Sequence, residues 1–72
     1  MHDLEAEKAI RESMEHLSAC NQPLNYITVP EAAIYRLYTP AFPDRIRLAI
    51  DAMVKRGVLV APQEPWEKWY LQ

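Results

Sequence analysis

The sequence predicts an α+β fold, three helices followed by a C-terminal β-hairpin. Three observations predict it. Ile46, Ala49, Ile50, Met53 and Val54 fall at i, i+3, i+4, i+7 and i+8, the spacing of one apolar helix face. Gly57, the only glycine, follows that stripe and suits the left-handed residue at which helices end. Beyond it lie two apolar or aromatic runs, Val58-Leu59-Val60-Ala61 and Trp66 to Leu71. Pro62-Gln63-Glu64-Pro65 separates them and is a turn by composition.

The elements follow in order. Residues 3 to 19 read as an amphipathic helix, because Ala6, Ile10, Met14 and Leu17 stack on one stripe. Asp3 and Glu5 suit the positive end of its dipole. Glu7, Lys8, Arg11, Glu12 and Glu15 are expected on the wet side, with Glu7 to Arg11 and Glu12 to His16 spaced for surface pairing. Asn21-Gln22-Pro23 ends the helix. Leu24 to Val29 holds the β-formers Tyr26, Ile27, Thr28 and Val29, enough for one short strand added to the later hairpin.

Thr28-Val29-Pro30-Glu31 reads as a capping box with proline in the first turn. A second helix over about 29 to 38 is expected, with Ala33, Ile34, Leu37 and Tyr38 inward and Glu31, Tyr35 and Arg36 outward. Thr39-Pro40-Ala41-Phe42 breaks it, since proline disfavours helix in the residue before it. Pro43 opens a third helix at a position where its missing N–H costs nothing. That helix is expected over about 43 to 56. The hairpin is expected over about 58 to 71, with Trp69 and Leu71 on one face and Trp66 and Tyr70 on the other.

Seventy-two residues fit a single domain spanning 1 to 72. A chain this small buries roughly 60% of its unfolded surface, so self-association would help it. No apolar run approaches the roughly 18 residues that cross a bilayer. The start, Met1-His2-Asp3-Leu4-Glu5, is acidic where a secretory signal is basic. Cys20 is the only cysteine and has no intrachain partner, so a cytoplasmic protein with a half-buried Cys20 is expected.

Catalytic chemistry finds little material. His2 and His16 lie 14 apart with no second cysteine, so no metal-ligand spacing is present. One glycine excludes a phosphate-cradling glycine-rich loop. Ser13 and Ser18 have no nucleophile elbow around them. No enzyme activity, metal or cofactor is expected.

Charge is polarised within a net of −2. Residues 1 to 20 carry five carboxylates against Lys8 and Arg11, a net of −3. Residues 44 to 57 carry Arg45, Arg47, Lys55 and Arg56 against Asp44 and Asp51, a net of +2. That pattern permits one positive face on an otherwise acidic chain.

The stretch Ile46 to Leu59, Ile-x-x-Ala-Ile-x-x-Met-Val-Lys-Arg-Gly-Val-Leu, resembles the last helix and first wing strand of winged helix-turn-helix proteins. Trp69-Tyr70-Leu71 resembles the closing wing strand in the short winged-helix regulators of pilus phase variation. The likeness covers about residues 26 to 72. It implies a small bacterial or phage transcription regulator that binds double-stranded DNA by site occupancy, as a dimer or beside a second protein. The third helix would enter the major groove and the hairpin would follow the backbone. Arg45 and Arg47 are the candidate base or backbone contacts. Tyr35, Arg36, Lys55 and Lys68 are the candidate phosphate contacts.

Each of these residues also has a plainer reading. Arg45 and Arg47 fit a solvated face paired with Asp44 and Asp51, and Lys55 fits the negative end of a helix dipole. The outer face of the third helix, with Asp44, Leu48, Asp51, Ala52 and Lys55, is poor in the groups that read base edges. A second reading follows. The chain is then a protein-interaction winged helix, such as a phage-encoded inhibitor or assembly subunit, with Leu48, Asp51 and Ala52 as its contact or homodimer seam. At least one of Trp66 and Trp69 is expected to pack the hairpin onto the helices.

Overall fold

The structure, a computed structural model, describes residues 2–37 and 44–72. Helix α1 spans Leu4–Ala19, α2 spans Thr28–Leu37 and α3 spans Asp44–Lys55. Strand β1 is Leu59–Val60 and β2 is Tyr70–Leu71. The strands pair antiparallel, Leu59 opposite Leu71 and Val60 opposite Tyr70. This is the α+β arrangement of three helices and a small sheet. The expected inward Tyr38, the break at 39–42 and the opening Pro43 lie outside the described residues.

One core joins the elements. Ala6, Ala9, Ile10 and Met14 come from α1, Val29 and Ala33 from α2, and Ile46, Ala49, Ile50 and Met53 from α3. Leu59 and Trp69 close it from the hairpin. Burying a side chain the size of Ile10, Ile46 or Met53 contributes about 1.5–3 kcal/mol each.

Two helices end by the same device. After α3, Gly57 has φ 78°, Val58 N donates to Met53 O at 3.0 Å and Gly57 N to Val54 O at 3.0 Å. After α1, Asn21 has φ 56°, Gln22 N donates to Leu17 O at 2.8 Å and Asn21 N to Ser18 O at 3.1 Å. Both are left-handed caps that satisfy the last carbonyls. A Cβ at Gly57 would meet nothing within 4 Å, so its backbone angle selects glycine there, not lack of room.

Helix α2 starts differently from the sequence expectation. Asn25 Oδ1 accepts from Ile27 N and Thr28 N, both at 2.8 Å. Asn25 N donates to Thr28 Oγ1 at 3.0 Å. The reciprocal cap therefore joins Asn25 and Thr28, one turn before the expected Thr28–Glu31 box. The Thr28 hydroxyl donates to Pro23 O at 2.6 Å, which binds it to the preceding loop. This early cap turns Tyr26 and Ile27 toward the helix, so Leu24 to Val29 forms no strand. One bond of that kind survives: Trp69 N donates to Leu24 O at 2.9 Å.

Other expectations are also corrected. Ile34 and Val54 are 37% and 39% exposed, because each lies about 100° round its helix from a buried neighbour, Ala33 or Met53. Trp66 is outside any strand, and the pairing is confined to two residues on each side. Leu71 is exposed although Trp69 is buried. Cys20 is exposed, since it lies beyond the last buried turn of α1. Among the described residues no helix is long and apolar enough to cross a membrane.

Candidate functional site

The first turn of α1 lies against both ends of α3, and that contact decides which cations are available. Asp3 caps α1, its Oδ1 accepting from Ala6 N at 3.2 Å. The same carboxylate takes the Arg45 guanidinium through Nε and through Nη2, the latter at 2.9 Å. Glu5 adds a third oxygen, 3.0 Å from Arg45 Nη2. At the other end, Arg56 grips Glu7 with two bonds of 2.8 and 2.7 Å. Arg56 Nη1 also donates to His2 Nδ1 at 2.9 Å.

Glu7 is the correction with the largest consequence. Its expected place was the wet side of α1, yet it is 5% exposed. Glu7, Ile10 and Met14 fall at i, i+3 and i+7, so a wider stripe includes it. Its partner is Arg56, and among the described residues no ion pair joins Glu7 to Arg11 or Glu12 to His16. The bonds from Arg45 hold the Asp3 carboxyl below its ordinary pKa, against the opposing effect of desolvation. Arg56 does the same for Glu7. Both guanidiniums are pushed upward in turn, first by these bonds.

Arg47 is placed the opposite way. Its side chain is 81% exposed, and its one ion pair among the described residues is Asp44 at 3.8 Å. Around it on the outer face of α3 stand Leu48, Asp51 and Lys55, all exposed, with Ala52 half-buried. Two carboxylates and two cations surround Leu48, so this face has no net charge. Arg45 does not share the expected pairing with Asp44 and Asp51, because it points at α1.

The remaining candidates are dispersed. Tyr35 and Arg36 are exposed on α2, where they border a cleft against Ser13 and His16 of α1. Arg47 borders a different groove of about 270 Å³, with Tyr26, Pro30 and Ile34 on one wall and Ile46 and Ile50 on the other. Trp69 closes that groove; its Nε1 donates to Asn25 O at 2.9 Å. Lys68 sits by the hairpin with Trp66 and Tyr70. Trp66 is 80% exposed. Sequence reasoning missed the masking carboxylates Asp3 and Glu5 and the groove residues Tyr26 and Pro30.

Among the described residues no group of three or more His, Cys, Asp or Glu side chains is arranged to hold a metal. No family model, curated protein or solved structure matches this chain.

Proposed function

We propose that this chain is a winged-helix module that docks a protein through α3 and does not read duplex DNA with it. In this reading α2 and α3 form the helix-turn-helix, and β1 and β2 are the wing. The observation that carries it is the capture of Arg45 by Asp3 and Glu5. A major-groove helix needs its N-terminal cations free for base edges and phosphate. Here one of the two is neutralised from within the chain. The other, Arg47, stands among two carboxylates and the exposed Leu48.

The occupant that fits this face is a second copy of the chain. In an antiparallel two-fold pairing of α3 with itself about an axis between Ala49 and Ile50, Asp44 of one copy falls opposite Lys55 of the other, and Arg47 lies one residue from the level of Asp51. Leu48 then leaves water against the other copy. Such a self-complementary patch is what a two-fold interface requires, and a 72-residue chain gains apolar burial from it.

Sedimentation of the whole chain tests this. Wild type should show a concentration-dependent dimer, and Leu48→Asp should be monomeric yet cooperatively folded, melting below wild type only at concentrations where wild type is dimeric. A wild-type monomer at every concentration removes the second copy as occupant. Duplex DNA should leave fluorescence anisotropy flat at low salt. Steeply salt-dependent duplex binding that Arg47→Ala abolishes would instead establish the DNA-binding regulator, because phosphate contacts release counterions.

A further inference from the structure

Packing reverses the sign of the one stretch with a positive balance. Residues 44 to 57 carry a net of +2 by themselves. The first turn of α1 brings three carboxylates against them, Asp3 and Glu5 on Arg45 and Glu7 on Arg56. With those three included, the region carries a net of −1. Glu7 is buried and doubly bonded to Arg56, so it belongs to the fold. Asp3 and Glu5 differ from it, with side chains 32% and 68% exposed.

Three carboxylate oxygens surround the Arg45 guanidinium, both from Asp3 and Oε1 from Glu5. A guanidinium takes carboxylate and phosphate oxygens in the same bidentate geometry. The two acids therefore stand where phosphate oxygens would stand. Among the described residues the one ion pair of Glu5 is this one. A pair so exposed adds little to stability, but it decides what Arg45 can meet.

We propose, on the reading of α2 and α3 as a helix-turn-helix, that the first turn of α1 is an autoinhibitory clasp: Asp3 and Glu5 occupy Arg45 in place of a phosphodiester and hold α3 off duplex DNA. With the two acids neutral the region regains a net of +1. Arg45 then joins Arg47 in the first turn of α3, the end that helix-turn-helix proteins bring to the duplex. The contact is to phosphate and carries no base preference. Exposed pairs are weak, so a cationic group that takes the two carboxylates opens the clasp.

The test uses the full chain carrying a dye on Cys20, the only cysteine and an exposed one. It is held at a concentration where sedimentation finds it monomeric and titrated with a DNA duplex at low salt, read by anisotropy. Asp3→Asn with Glu5→Gln should bind at least tenfold tighter than wild type, and added salt should remove the gain. Asparagine still caps α1, so the melting temperature should fall only slightly. Glu5→Gln alone, at the more exposed position, should give part of the gain. Adding Arg45→Gln to the double variant should abolish it. Glu12→Gln with Glu15→Gln makes the same charge change at exposed positions of α1 away from the clasp and should stay near wild type. The clasp is overturned if the double variant binds no tighter than wild type, if the gain survives Arg45→Gln, or if the Glu12 and Glu15 pair gains as much. Duplex binding by wild type itself would instead overturn the reading of α3 as closed to DNA, and the ratio of the double variant to wild type would still decide the clasp.

Discussion

Arg45 and Arg47 are two residues apart and have opposite fates. Two helical steps turn about 200°, so one guanidinium faces α1 and the other faces solvent. The Arg45 side chain is 31% exposed and rests on two carboxylates, while Arg47 is 81% exposed beside one distant carboxylate. The two tryptophans repeat the contrast, Trp69 at 7% exposed and Trp66 at 80%. Residue type alone therefore assigns neither pair. The inward member of each is committed to holding the fold together, and only the outward member is available to meet something else.

The tryptophans give the largest test of that division. Trp69 fills the space under the hairpin and bonds to Asn25 O at 2.9 Å. Trp69→Ala should destabilise by about 3–5 kcal/mol, the cost of emptying a large aromatic site. Trp66→Ala should stay within about 0.5 kcal/mol, as surface substitutions do. Chemical denaturation of both variants measures the difference. Equal losses would erase the distinction between inner and outer sides of the hairpin.

The acidic side of the seam comes next. Glu7→Gln keeps the shape of the side chain and removes the charge that Arg56 grips with two bonds. A loss of about 1–3 kcal/mol is expected, typical of a charged hydrogen bond removed from a buried carboxylate. Glu64→Gln, at an exposed position between the two strands, is the control and should change stability by less than about 0.5 kcal/mol. Urea midpoints with unchanged slopes would establish both values.

Acid should release the same seam with wild-type protein. The folded-state pKa values of Asp3 and Glu7 are depressed. Their contribution is therefore complete above the ordinary carboxylate range, about pH 4, and is lost as pH falls through the lower folded values. Melting temperature should fall below about pH 4 in wild type and fall less steeply in Glu7→Gln. Parallel curves for the two proteins would show that Glu7 is not the titrating support.

Local signals in the sequence were good guides to where helices stop and poor guides to what their charges do. Gly57, the spacing of Ile46 to Met53, and Asn21 after α1 each act within a turn or two, so they are legible in one dimension. The start of α2 was ambiguous because Asn25 and Thr28 both offer capping oxygens three residues apart, and only the side-chain geometry decides between them. The seam was hidden for another reason. Asp3 and Arg45 are 42 residues apart, and Glu7 and Arg56 are 49 apart, so no periodicity connects them. The α1–α2 cleft was equally hidden, since Ser13 and Arg36 border one space only after the two helices pack.

The two arginines themselves set the smallest and most direct comparison. Arg45→Gln removes a pair whose partners are partly open to solvent, and salt screens such pairs. Its melting temperature should fall by a small amount at low salt, and the deficit should shrink as salt is added. At concentrations where the chain is monomeric, Arg47→Gln should match wild type at both salt levels, because its contact with Asp44 is long and exposed. Thermal melts of the two variants at low and high salt read both effects at once. If Arg47→Gln loses as much as Arg45→Gln, the outer cation supports the fold after all, and the face around Leu48 is no longer free for a partner.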